Sequence, residues 1–169
     1  MTWSRARPTP DPTGPGQESV WGYPRPPRVE PVGRALRVVL DGTVVATTTH
    51  GFRVLETSHP PNYYFPPDSV TPGALVRTVG GSWCEYKGAA HYFDVHAGAR
   101  VARDAAWGYD NPSPGYEAIR GYVAFYPGRV DSCFVDDELV VPQPGGFYGG
   151  WITSDVAGPF KGAAGTLGW

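Results

Sequence analysis

The chain of 169 residues carries 14 basic and 16 acidic side chains, for a formal net charge of -2. That length houses one domain with a hydrophobic core of its own, in no need of a disulfide or a metal to fold. The near balance of charge supplies no field to gather phosphate backbones, and no apolar run approaches the ~20 residues of a membrane span, so nucleic acid and membrane drop out as expected partners.

Residues 1–17 hold Pro8, Pro10, Pro12 and Pro15 with little to bury, which predicts a disordered leader ahead of a β domain at 18–141. Trp21, Tyr23 and the prolines of 18–28 predict a segment lying extended across the domain surface. Residues 35–40, the Asp41 and Gly42 pair and residues 43–47 read as a hairpin on a tight turn. Residues 52–56 follow as a strand, with Phe52, Val54 and Glu56 on one face by the period of two. A short irregular or helical piece is expected at 69–76. Residues 83–87 and 90–95 then read as an antiparallel pair turning at Gly88 and Ala89.

Gly98 turns the chain into residues 100–107, which read as a strand in preference to a helix. Residues 116–120 have room for one helical turn. Residues 122–126 and 130–135 read as strands, with Asp136 and Asp137 as their turn. The tail at 142–169 is too Gly-rich for helix or sheet within it and too aromatic for a linker, so it is expected to pack on the domain. The fold class expected is mainly β, a single domain of twisted antiparallel sheets. No charged and apolar leader suggests secretion, and Cys84 and Cys133 sit in strand-like apolar surroundings, which together predict free thiols in a cytoplasmic protein.

Chemistry concentrates at 55–67, Leu-Glu-Thr-Ser-His-Pro-Pro-Asn-Tyr-Tyr-Phe-Pro-Pro, a loop stiffened by four prolines. Glu56, in line with Phe52 and Val54, is either a general base or a cap that accepts backbone N–H groups. His59 has the residue type of a proton shuttle. Ser58 beside it lacks the nucleophile-elbow pattern and is expected to contact a ligand rather than attack it. Lys87 is expected to project with Glu85 toward a shared pocket or to pair with Glu56 across the sheet. There it would fix an anion or, with a depressed pKa, attack a carbonyl.

Tyr63, Tyr64, Tyr92, Trp107 and Tyr109 supply aromatic lining for a small-molecule pocket. The candidate catalytic residues are therefore Glu56, His59 and Lys87, and the candidate ligand-binding residues are Ser58, Tyr63, Tyr64, Glu85, Tyr92, Trp107 and Tyr109. No cofactor and no metal are expected, since the period of two sends His91 to the face opposite Asp94 and His96. The glycine pairs 145–146 and 149–150 lack the strand and helix of a phosphate loop. The function expected is a soluble small-molecule enzyme or ligand-binding domain using acid–base residues around an aromatic pocket. The alternative is a non-catalytic interaction module whose aromatic tail docks a partner.

Four motifs in order, Glu56-Thr-Ser-His-Pro-Pro-Asn-Tyr-Tyr64, Cys84-Glu-Tyr-Lys-Gly88 with Tyr92, Trp107-Gly-Tyr109 and Ala124-Phe-Tyr-Pro-Gly-Arg-Val-Asp131, resemble the bacterial family called domain of unknown function 427. The resemblance spans residues 20–169, and segments 19–31 and 145–169 are similar to the actinobacterial branch of that family. It implies a mainly β, complex-sheet domain of the Mss4-like type in a soluble bacterial protein. The family is sometimes labelled nucleotidyltransferase-like, which implies closely spaced carboxylates on a strand beside a Gly-Ser loop. The adjacent acids here, Asp136 and Asp137, fall in an expected turn, so nucleotide transfer stands as the lesser alternative. The Mss4-like name also implies zinc held by paired Cys-x-x-Cys motifs, which this chain does not contain.

Overall fold

Alternation of buried and exposed positions decides where the strands lie. The computed structural model describes residues 7–169, so the first part of the expected leader lies outside the described residues. The strands are β1 (Glu18–Ser19), β2 (Arg28–Val32), β3 (Leu36–Leu40), β4 (Thr43–Thr48), β5 (Gly51–Leu55), β6 (Asn62–Phe65), β7 (Leu75–Cys84) and β8 (Gly88–Ala97). They continue with β9 (Arg100–Gly108), β10 (Val123–Phe125), β11 (Ser132–Val135), β12 (Glu138–Leu139), β13 (Val141–Pro142), β14 (Trp151–Ile152) and β15 (Val156–Ala157). Helix is confined, among the described residues, to single 3-10 turns at Val20–Gly22, Pro67–Ser69 and Glu117–Ile119. The molecule is mainly β, as its composition in β-branched and aromatic residues leads one to expect.

Seven strands form the central sheet in the order β2-β5-β6-β10-β9-β8-β7, each antiparallel to its neighbours. A second sheet, β12-β11-β3-β4, is likewise antiparallel. Its β3–β4 hairpin turns on Asp41 and Gly42, both at positive φ (51° and 68°), the geometry that a two-residue turn matched to the strand twist demands. The main core lies between the two sheets. Leu36, Val38, Leu40 and Val45 meet Tyr63, Phe65, Val95, Ala106, Val123 and Phe125 there, with Trp151 from the tail among them.

The central sheet buries its other face too. Val54, Tyr64, Ala90, Trp107, Tyr109, Ala124 and Tyr126 form a second cluster there, together with Tyr116 and Ile119 from the loop before β10. The period of two is visible residue by residue: Tyr63, Phe65, Ala106, Val123 and Phe125 enter the first core, while Tyr64, Trp107 and Ala124, each next to one of them in sequence, enter the second.

Several boundaries differ from the sequence reading. The β7–β8 turn is made by residues 85–87, not by Gly88 and Ala89, and Gly88 begins β8 with φ at 101°. β7 begins at Leu75, in the stretch expected to be irregular, because β8 is long enough to pair with it all the way to Val95. Asp136 and Asp137 join β11 to β12, since β10 leaves to pair with β6 and β9. The segment at 18–28 lies along the domain with most of its residues half-buried or exposed, anchored by Val20 and Tyr23, which are buried in a third cluster with Leu55 and Val156. The tail does contribute strands, each of two residues, β14 pairing antiparallel with β13 and β15 parallel with β1. In the described part of the leader, the Asp11 amide donates to the Gly158 carbonyl oxygen and the Gln17 side chain to that of Ser154.

Candidate functional site

β5 ends at Leu55, and the next six residues cross the end of the central sheet before β6 begins. Main-chain hydrogen bonds clamp this crossing from two directions. From the N-terminal side, the Thr57 amide donates to the Pro24 carbonyl oxygen and the Ser58 amide to that of Val20, while the Thr57 hydroxyl donates to Tyr23 at 2.5 Å. From the tail, the Lys161 amide donates to the Ser58 carbonyl oxygen and the Trp151 amide to that of Pro61. Ser58 sits at φ 75° with no exposed surface, a backbone conformation that only such surrounding bonds sustain in a residue bearing a Cβ. The clamp sets Glu56 and His59 on the side of the second core cluster.

A cavity of about 310 Å³ opens there. Glu56, His59 and Lys87 all line it, as do Tyr64, Glu85, Tyr92, Trp107 and Tyr109 from the ligand-binding set. Two candidates are elsewhere. Tyr63 points through the sheet into the first core, against Trp151 at 5.0 Å between ring centroids, because adjacent strand residues face opposite sides. Ser58 is spent on the clamp, and its hydroxyl has no partner. Among the lining residues that sequence reading missed are Lys161, Tyr148 and Phe147 from the tail, Tyr126 after β10, and Asn62, Cys84 and Trp83. The tail carries no periodicity that would have indicated them, whereas Tyr126 lies in the very motif that marks β10.

Glu56 does not pair with Lys87. Its carboxylate stands 3.5 Å from Arg25 Nε and 3.8 Å from His59 Nε2, the second of these too long for a direct hydrogen bond. Arg25 lies in the N-terminal segment, which extended-strand reasoning could not bring near Glu56. Lys87, from the β7–β8 turn rather than a strand face, is only 6% exposed and makes no ion pair within 4.0 Å among the described residues. Burial pulls its ammonium down, but the Tyr64 phenol, the Cys84 thiol and the Glu56 carboxylate outweigh that effect and hold Lys87 above its ordinary range. This is the opposite of the depression that amine attack on a carbonyl needs, so Lys87 is a fixed cation.

His59 is 7% exposed, and its pKa is lowered to about 3, first by burial and then by the positive charges of Lys161, Arg25 and Lys87. The expected near-neutral imidazole is therefore a neutral one throughout the physiological range. Its tautomer follows from Gln143. The Gln143 Oε1 accepts from the Gly150 amide at 3.0 Å and the Nε2 donates to the Lys161 carbonyl oxygen at 2.8 Å, which fixes the orientation of the side-chain amide. The same Nε2 lies 3.1 Å from His59 Nδ1, which must accept. The proton is on Nε2, facing Glu56.

Burial raises the phenols of Tyr64, Tyr109 and Tyr126 above their usual range, so all three are neutral hydroxyls. The Tyr64 hydroxyl accepts from Trp107 Nε1 at 3.3 Å, Tyr92 donates to Ser82 at 2.9 Å, and Tyr126 donates to the Phe147 carbonyl oxygen at 3.2 Å. Lys161 donates to the main-chain oxygen of Trp169 and lies 5.5 Å from the Tyr148 ring. Among the described residues no three His, Cys, Asp or Glu side chains gather as a metal-ligand set.

Residues 28–136 match the model of the family described as Domain of unknown function (DUF427). The chain belongs to that family. Among curated proteins none matches it. The DUF427 region contains Glu56, His59, Tyr64, Lys87, Tyr92, Trp107 and Tyr109, whereas Arg25, Gln143, Tyr148 and Lys161 lie outside the matched residues. In this DUF427 protein the cavity is thus completed by Phe147, Tyr148, Gly149 and Lys161 from the segment after the family region, while Arg25 from the segment before it pairs with Glu56. No helix of the described residues is long and apolar enough to cross a membrane.

Proposed function

We propose that this protein is a small-molecule-binding domain of the cytoplasm whose cavity carries acid–base chemistry. The observation that carries the reading is the convergence of a carboxylate, a neutral imidazole and a buried ammonium on one aromatic cavity of about 310 Å³, at the small end of the ~300–1,000 Å³ typical of ligand sites. In this reading Glu56 accepts or returns a proton. His59 donates a hydrogen bond from Nε2, and Lys87 with the neutral tyrosine hydroxyls stabilises negative charge as it develops on the substrate. Free thiols at Cys84 and Cys133 support a reducing compartment.

The test is a thermal-shift screen of a broad metabolite panel, since a ligand that binds the folded state raises the melting temperature by mass action. A hit is expected to lose its effect in Glu56→Gln or Lys87→Met protein that folds normally. A panel without a single stabilising compound overturns the reading. The rival is an interaction module, favoured by Trp83 and Phe147, which are 74% and 68% exposed at the cavity mouth. Nucleotide transfer has less to rest on: Asp136 is held by Arg34 and the Ala35 amide, and neither it nor Asp137 lines the cavity.

A further inference from the structure

Two lysines of the cavity wall, Lys87 and Lys161, have no carboxylate side chain within 4.0 Å among the described residues, and Lys87 is the more deeply buried of the two. Arg25 and Glu56 form a pair at 3.5 Å, so they offset each other. Lys161 is engaged by the Trp169 main-chain oxygen and the Tyr148 ring. Glu85 is exposed on the β7–β8 turn. Lys87 remains, 6% exposed, with no carboxylate within 4.0 Å among the described residues. Lys87 lines the cavity together with Tyr64, Cys84 and Glu56. The ammonium is held charged there with no carboxylate in contact, so an anion brought by a ligand is free to become its direct ion-pair partner.

The shape and the remaining charge narrow the anion. The Lys87 ammonium offers one buried point charge to an anion, which a single carboxylate group matches. A single ammonium is a compact point charge, whereas phosphate sites typically combine several donors from guanidinium forks or successive backbone N–H groups. Tyr92, Trp107, Tyr126 and Tyr148 present ring surface for a flat apolar body.

Resting on the small-molecule reading above, we propose that the ligand is a monocarboxylate on an aromatic or conjugated body, its carboxylate held by Lys87 and its body lying among Tyr92, Trp107, Tyr126 and Tyr148. The Tyr64 hydroxyl, which lines the same cavity and accepts from Trp107 Nε1, keeps its own proton for the carboxylate and is the second donor.

The experiment is calorimetric titration of the full chain with benzoate, trans-cinnamate and indole-3-carboxylate, with the neutral amide of each, and with phenyl phosphate. At least one carboxylate is expected to bind ten-fold or more tightly than its amide. The difference is expected to vanish in Lys87→Met protein whose fold is verified by circular dichroism. The acid-to-amide ratio in the wild-type protein tests the charge assignment without the variant. If an amide binds as tightly as its acid, the ligand class falls while the small-molecule cavity stands. Tighter binding of phenyl phosphate than of every carboxylate overturns the proposal in favour of a phosphorylated ligand. Failure of all seven compounds also overturns it, and the broad metabolite panel then judges the cavity separately.

Discussion

Gln143 Nε2 stands 3.1 Å from His59 Nδ1 while donating to the Lys161 carbonyl oxygen, so one amide from the tail selects the imidazole nitrogen that keeps its proton. The cavity receives an N–H from His59 because Nδ1 is already committed. Replacing Gln143 by Glu puts an acceptor against an acceptor, and His59 then has to turn or take up a second proton. Glu is expected to raise the His59 pKa from about 3 toward its ordinary value, which titration of the imidazole by NMR measures directly.

The wild-type protein is expected to lose stability in mild acid. Unfolded His59 binds its proton near pH 6.5, whereas folded His59 does so only near 3. Between those values the unfolded chain holds more protons, so stability is full above about pH 6.5 and falls as the pH drops toward 3, by an amount on the order of a few kcal/mol. His59→Asn, whose side-chain oxygen takes the place of Nδ1 as acceptor from Gln143, is expected to flatten this part of the profile. Urea midpoints at steps from pH 7 to pH 4 show whether it does, and an unchanged slope in the variant assigns the acid loss to other groups.

Lys87→Met is expected to lower the unfolding midpoint of the unliganded protein even though it keeps the buried methylenes. Tyr64, Cys84 and Glu56 hold the ammonium above its ordinary range, so the folded state favours the charged form and loses that gain when the charge goes. Urea unfolding at pH 7 reads the loss, and an unchanged midpoint shows that burial cancels those interactions.

Trp151→Ala tests how far the tail belongs to the core. Trp151 is fully buried, donates from Nε1 to the Phe125 carbonyl oxygen at 3.0 Å, and packs on Tyr63 and Phe65. Its truncation leaves a cavity and an orphaned acceptor, for an expected loss of about 3–5 kcal/mol. Denaturant unfolding followed by circular dichroism reads the change.

Gly150→Ala is expected to weaken the clamp on the β5–β6 crossing. A methyl there stands 2.5 Å from Gln143 Oε1 and 2.8 Å from the Pro60 carbonyl oxygen, so either the tail or the crossing must move, at a cost of roughly 1–3 kcal/mol. The His59 ring resonances are expected to shift with it, since Gln143 connects the two.

Much of the scaffold was readable because its determinants are local. The Asp41 and Gly42 turn needs two residues that tolerate positive φ, and it has them. The period of two carried Val54 and Glu56 to the cavity side, and the same rule separates Tyr63 from Tyr64, a separation lost when both tyrosines were grouped as lining. Lys87 was recognised while its turn was misplaced, because Gly88 reads as a turn residue whether it closes a turn or follows one. Arg25, Gln143 and Lys161 were not readable at all. Their positions depend on where two irregular, proline- and glycine-rich segments settle, and no spacing along the chain encodes that.

Ser58 joins those segments: its amide donates to Val20 and its carbonyl oxygen accepts from Lys161. The cavity wall therefore closes only when stretches from opposite ends of the sequence have reached the same residue, contacts whose chain-entropy cost delays them in folding. A nascent chain lacking the segment beyond β13 has the DUF427 strands but not Gln143, Tyr148 or Lys161. The part of the cavity wall made by Tyr148 and Lys161 is thus set only after the strands that carry Glu56 and Lys87 have been made.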